Sequence, residues 1–322
     1  MSPTMSVLYD PHLIEEAVFL THRDTGGPAE IPKERERVYK VADPEERERL
    51  FGELNRSWFV RLKLAAPIEQ ALQEQPSIAG HVASCFVVCA AQAKEEGAEL
   101  FVAPQAHPVR IARRTLRILL RPESLLNPEP LLNFLRRELF HIADMLDPTF
   151  NYEPTLPKTE GGPTYDGLIT NRYRVLWDIT INGRMARRGW ISESIRAEKL
   201  SEFLRAFPIL GEKGEKVFSR FFDNDHPTHP ELAAFAFDPR AAIGAPNGAS
   251  APGTRCPLCR FPTHAFEPGP ENLGRQVIAA IERDFPQWTP SAGLCAQCAD
   301  LYRANQLSVE AARALPGWQS YP

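Results

Sequence analysis

With 322 residues, the chain is long enough to bury a large core and to hold one main domain plus something smaller. Its 43% hydrophobic and 24% charged content is that of an ordinary soluble globular protein, and no apolar run approaches the ~20 residues needed to span a bilayer. A formal net charge of −4 removes the electrostatic reason to expect nucleic acid or an anionic membrane as the main partner.

Along the chain, Met1 to Ser6 offers no basic stretch followed by an apolar one, so a signal peptide is not expected and the cytoplasm is the expected compartment. A charged, helix-favouring stretch runs from Pro44 to Phe51, and the alternation Val60-Arg61-Leu62-Lys63-Leu64 predicts a short strand. Helices are predicted over 67–75 and 78–94, with Cys85 and Cys89 four apart inside the second. Both cysteines read as core thiols, because buried free cysteine behaves as a small hydrophobe; a redox or metal pair is the alternative. Arg110, Arg113, Arg114 and Arg117 read as a solvated face or an edge-strand guard, since the aromatic interleaving of a nucleic-acid surface is absent. A β-like run over Thr115–Arg121 ends at Pro122, and Pro128–Leu146 is a strongly amphipathic helix stopped by Asp147-Pro148.

Residues 152–167 are rich in Pro, Gly and Thr and predict a long loop, followed by helices over 171–188, 192–207 and 215–222. His226 and His229 invite a metal reading. Thr228 as an N-cap, Pro230 in the first turn and Glu231 at the capping-box position favour a helix start instead. Residues 239–255, with their run of Ala, Gly, Pro and Ser, predict a flexible linker between a main domain over 1–238 and a small module over 256–322.

Four of the six cysteines form two short pairs in that module, Cys256-Pro-Leu-Cys259 and Cys295-Ala-Gln-Cys298. Each pair lets two thiolates grip one ion from a tight turn, and four complete a tetrahedral shell, so a structural Zn2+ is expected, with iron a lesser alternative. A knuckle first and a helix-borne pair last resembles a treble-clef or zinc-ribbon module, although Arg260 stands where a Gly often follows the second cysteine. Such a site has no open position for substrate, and it would staple a tail too small to fold by itself. From Cys256 onward there are five Arg and no Lys against six Asp or Glu, which favours a protein partner over nucleic acid.

The amphipathic helix carries Arg137-Glu138-Leu139-Phe140-His141. A strand followed by a helix bearing Glu-x-x-His resembles the zincin metallopeptidases, whose His-Glu-x-x-His helix holds zinc between two histidines while the Glu activates the bound water. Arg137 replaces the first histidine and has no lone pair to offer a metal. The resemblance implies Glu138 as general base, His141 as a ligand and Asp178, on a later helix, as a third ligand, with Asp144 on the His141 face as a further candidate. It also implies an α+β fold: a mostly helical, zincin-like main domain with a small sheet, followed by the four-cysteine module.

Two functions from different classes follow, and whether the chain is an enzyme stays open between them. One is a non-catalytic, zincin-derived protein acting through protein–protein interaction, in which Arg137 borders the old metal position and pairs with Glu138 or Asp178. The other is a working zinc metallohydrolase or peptidase with a second metal at His141. A nucleic-acid-associated zinc-ribbon protein is a third, disfavoured by the acidic tail.

Overall fold

Asp10 and Asp43 each precede a proline and open a helix. Their carboxylates accept backbone N–H groups of the first turn, from His12 at 2.9 Å and from Glu45 and Glu46 at 3.3 Å, while the proline sits where its missing N–H costs nothing. The helices so started are α1 (Pro11–Thr25) and α3 (Pro44–Arg61), with α2 (Glu30–Tyr39) between them. This is a computed structural model, which describes residues 5–26, 28–102, 114–158, 162–240, 255–261, 263, 266–267 and 269–314. Residues 241–254 of the expected linker, and Arg110 and Arg113, lie outside them. The chain is mostly helical with one four-stranded sheet, an α+β architecture. It divides into two compact units, Met1–Tyr152 with Ile181–Ile195, and Glu153–Thr180 with Arg196–Pro322.

In the first unit, β1 (Ser6–Tyr9), β2 (Ser84–Cys89) and β4 (Arg114–Leu120) run parallel, and β3 (Gly97–Val102) closes one edge antiparallel to β4, in the order β1-β2-β4-β3. One face of the sheet is buried through Cys85, Val87, Leu116, Ile118 and Leu120. It joins a single core with α1, α4 (Ala66–Gln73), α5 (Pro76–His81) and the apolar stripe of α6 (Pro128–Leu146), namely Leu131, Leu135, Leu139, Ile142 and Leu146.

Two sequence expectations fail here. Val60 and Arg61 finish α3 instead of forming a strand, because a capped helix already running from Pro44 carries through them, and Val60 is left 71% exposed. The helix expected over 78–94 ends at His81, and Ser84–Cys89 becomes the second strand of the sheet. The run Cys85-Phe86-Val87-Val88 is short and β-branched, and tertiary pairing on both sides decides in favour of a parallel strand.

The opposite face of α6 meets the start of a different segment of the same unit. Asp144, 6% exposed, takes both terminal nitrogens of Arg184 at 2.7 Å each. The Arg184 and Arg188 guanidinium groups lie 4.8 and 4.7 Å from the Phe140 ring, and Trp190 stands between Arg136 at 4.5 Å and Arg188 at 4.9 Å. Arg136 in turn grips Glu74 of α4 through two 2.7 Å bonds, which hold the Glu74 carboxyl below its ordinary range.

In the second unit, α7 (Gly162–Arg187, shared with the first unit beyond Thr180), α8 (Ile195–Ala206), α9 (Gly214–Phe222) and α10 (His229–Phe237) surround an aromatic core of Phe203, Phe207, Phe218, Phe221 and Phe235. Thr228 caps α10 as its sequence suggests, its hydroxyl accepting from Glu231 N at 3.3 Å. The loop expected over 152–167 is shorter than composition implied, since α7 starts at Gly162.

The Asp144–Arg184 pair gives a stability test. Asp144→Ala is expected to cost about 3–5 kcal/mol by leaving a buried guanidinium without its carboxylate, whereas Asp144→Leu combined with Arg184→Met recovers most of that loss. Thermal or urea unfolding of the three proteins measures both.

Candidate metal centre

The C-terminal cysteines meet because two short local structures face each other. Cys256 to Phe261 folds into a tight turn in which Arg260 N donates to Cys256 O and Cys256 N to Phe261 O, both at 2.9 Å. A single antiparallel bridge, Phe266 with Cys295, brings the second pair alongside. Cys295 immediately precedes α12 (Ala296–Ala314), and Cys298 lies in its first turn. Leu258, Leu273, Trp288, Leu294 and Ala299 pack beneath, together with Val277 and Ile281 of α11 (Arg275–Asp284). Arg303 pins α12 to Glu267 through bonds of 2.9 and 3.0 Å.

The four sulfurs lie within 4.8 Å of one another, with Cys256–Cys298 and Cys259–Cys295 each at 3.9 Å. Thiolates ~2.3 Å from a tetrahedral zinc ion stand roughly 3.8 Å apart, whereas a disulfide would draw two of them to about 2.05 Å. Backbone amides point at the sulfurs as they would at thiolates: Cys295 N reaches Cys256 Sγ and Cys298 N reaches Cys295 Sγ, both at 3.3 Å. Burial pushes the Cys256 thiol upward, but the backbone N–H groups of Cys295, Cys259 and Leu258 outweigh it and bring the group down to about 7. Donor set, spacing and amide orientation all fit a tetrahedral soft-ligand ion such as zinc.

Arg260, which departs from the treble-clef pattern, has a φ of +61°. The backbone therefore adopts the left-handed conformation that a glycine would take without strain, and the arginine tolerates it because the turn's two hydrogen bonds fix it there.

The central helix gives a different picture. Arg137 donates to the Oε1 of its neighbour Glu138 from Nε at 3.3 Å and Nη2 at 3.2 Å, with the arginine side chain 41% exposed and the glutamate 21%. The other oxygen of Glu138 lies 3.5 Å from where a side chain at Gly97 of β3 would begin, so the carboxylate sits against the edge strand. His141 is half-buried one turn on, and Asp144 is held by Arg184. Asp178 belongs to the second unit, where it accepts from Lys199 at 2.6 Å. Among the described residues, the four cysteines form the group of three or more His, Cys, Asp or Glu side chains placed to share one ion, and Glu138, His141, Asp144 and Asp178 do not join such a group.

Three further candidates resolve as structure. His229 is 4% exposed with Nδ1 2.7 Å from the Tyr173 hydroxyl, and burial lowers its pKa. Cys85 is buried on β2, which pushes its thiol up to about 12, with Cys89 half-buried on the same strand. Arg117 stands on the interior strand β4, where it pairs across strands with Glu99 and covers Phe101 at 4.8 Å, so it belongs to a solvated sheet face and does not guard an edge. The cations that occupy the carboxylates, Arg184 and Lys199, were not legible beforehand. They stand 40 and 21 residues from their partners, and no local pattern marks such a pair.

No family model, no curated protein and no solved structure matches this chain.

Arg260→Gly is expected to stabilise the cysteine module by about 0.5–1 kcal/mol, the relief of left-handed strain less the greater freedom of the unfolded glycine chain. Arg260→Ala should stay close to wild type, because alanine meets the same strain. Thermal unfolding of the full chain in the presence of metal reads the difference.

Proposed function

We propose that this is a non-catalytic, zincin-derived protein whose C-terminal module holds a structural zinc ion and which acts by binding another protein in the cytoplasm. The observation that carries the reading is the state of the carboxylates. Glu138, Asp144 and Asp178, which a hydrolytic zinc would need as base and ligands, are each engaged by a cation of the chain itself: Arg137, Arg184 and Lys199. A guanidinium beside Glu138 neutralises the charge that a general base would use, and it stands where the metallopeptidase motif has its first histidine.

The descent is supported by the order of elements, β4 leading to α6 with Glu138 set against the antiparallel edge strand β3. Structural zinc is supported by a closed four-sulfur shell that leaves no position for substrate. Four unlinked thiols within 4.8 Å of one another suit a reducing compartment, and no helix among the described residues is long and apolar enough to cross a membrane. A protein partner is supported by the module's slight acidity and by two large apolar side chains it leaves exposed, Phe261 at 73% and Leu301 at 67%.

Zinc stoichiometry tests the reading. The purified full chain should carry one zinc, His141→Ala should carry one, and Cys256→Ser with Cys298→Ser should carry none and lose the helical signal of α11 and α12. Two zinc ions in the wild type, falling to one in His141→Ala, would replace this reading with a metallohydrolase using Glu138 as base and His141 as a ligand.

Arg137→His restores two imidazoles four apart on one helical face. It is expected to add a second, weaker zinc that the additional change His141→Ala removes again. Equilibrium dialysis against micromolar zinc detects the gain.

A further inference from the structure

Arg172 lies on α7 within the second unit and is only 7% exposed. Its Nε and Nη1 are fully buried and have no hydrogen-bond partner among the described residues. A guanidinium stays protonated in any protein environment, so this is a charge taken out of water without an acceptor, an arrangement that costs far more than an unpaired neutral group. What surrounds it does not repay that cost. The Phe207 ring centroid is 5.6 Å away, at the outer range of a cation–π contact. Among the described residues, the titratable group that bears on it is the Tyr165 phenol, seven residues earlier on the same side of the helix, and not a carboxylate. The other cations embedded in the protein are satisfied: Arg184 by Asp144, Arg136 by Glu74, Lys199 by Asp178 and Glu202. Arg172 departs from the pattern of these three cations, each of which meets a carboxylate.

We propose that Arg172 anchors an oxyanion-binding site on the second unit, one that takes the carboxylate or phosphate group of a ligand. A guanidinium presents two bidentate edges, and each includes one of the buried nitrogens, Nε or Nη1, so a planar or tetrahedral oxyanion on one edge satisfies one of the two donors that the fold leaves open. The Tyr165 phenol bears on the same charge, and the Phe207 ring stands 5.6 Å away as an apolar wall. The site does not depend on zinc and stands or falls apart from the reading given above.

The full-length, zinc-loaded protein provides the test. Its unfolding temperature is followed in sodium phosphate and in sodium acetate, each against sodium chloride at equal ionic strength. The wild type should gain about 2–4 °C at an oxyanion concentration several times the dissociation constant. A larger gain from phosphate identifies a phosphate ligand, and a larger gain from acetate a carboxylate. Arg172→Met, which keeps the volume and removes the charge, should unfold in chloride at or above the wild-type temperature and lose the oxyanion response. Arg172→Lys should keep a response at least about tenfold weaker in affinity, since an ammonium lacks the planar fork. The proposal is overturned by a wild type indifferent to both oxyanions, by an equal response in Arg172→Met, or by an Arg172→Met protein that unfolds below the wild type in chloride, which would make the guanidinium a structural group.

Discussion

Helix α6 has to be apolar on one side and charged on the other, and the first unit is arranged around how that second side is closed. Leu135, Leu139 and Ile142 commit one stripe to the sheet. Asp144 then falls on a face that the fold also buries, and a carboxylate there is tolerable only with a cation in hydrogen-bonding reach. Arg184 supplies it with two bonds of 2.7 Å, and the aromatic rings of Phe140 and Trp190 are laid between the neighbouring guanidinium groups of Arg136, Arg184 and Arg188. This is why residues 181–195, distant in sequence from the sheet, belong to the same compact unit. Arg136 extends the network to Glu74, so α4 and α6 are fastened by charge as well as by apolar contact.

The same pairing bears on chemistry. In the proposed function, the fixed cation beside each carboxylate removes the freedom to hold a metal or take a proton that a hydrolytic zinc site needs. Arg137 turns to its own neighbour Glu138. The pair is partly solvated and contributes little to stability, on the order of 0–1 kcal/mol. Its weight lies in what Glu138 can do, and not in how firmly the helix is held.

The cysteine module is built by a different logic. Its core is small, and it relies on four sulfurs gathered by a tight turn, one β-bridge and a helix start. Such a unit gains its order when an ion replaces thiol–thiol repulsion with four bonds. The turn even absorbs an arginine at a φ of +61°, which shows that closing the cysteine pair outranks local backbone preference there.

Legibility in the sequence followed the range of the forces involved. The Cys-x-x-Cys spacings, the Thr228 cap with Pro230 and Glu231, and the 3.6-residue stripe of α6 are short-range signals, and each corresponds to a feature of the structure. The apolar run from Cys85 to Cys89 fits helix or strand by its length, and only the parallel neighbours β1 and β4 choose between them. The sequence by itself therefore determined where the capped helix α10 begins and which cysteines could share an ion. The tertiary structure alone decided which cation meets which carboxylate, that β3 lies against Glu138, and that Arg172 is buried without an acceptor. Those are statements about residues tens of positions apart, and the energy of a charge is set by what surrounds it in space, which no local spacing records.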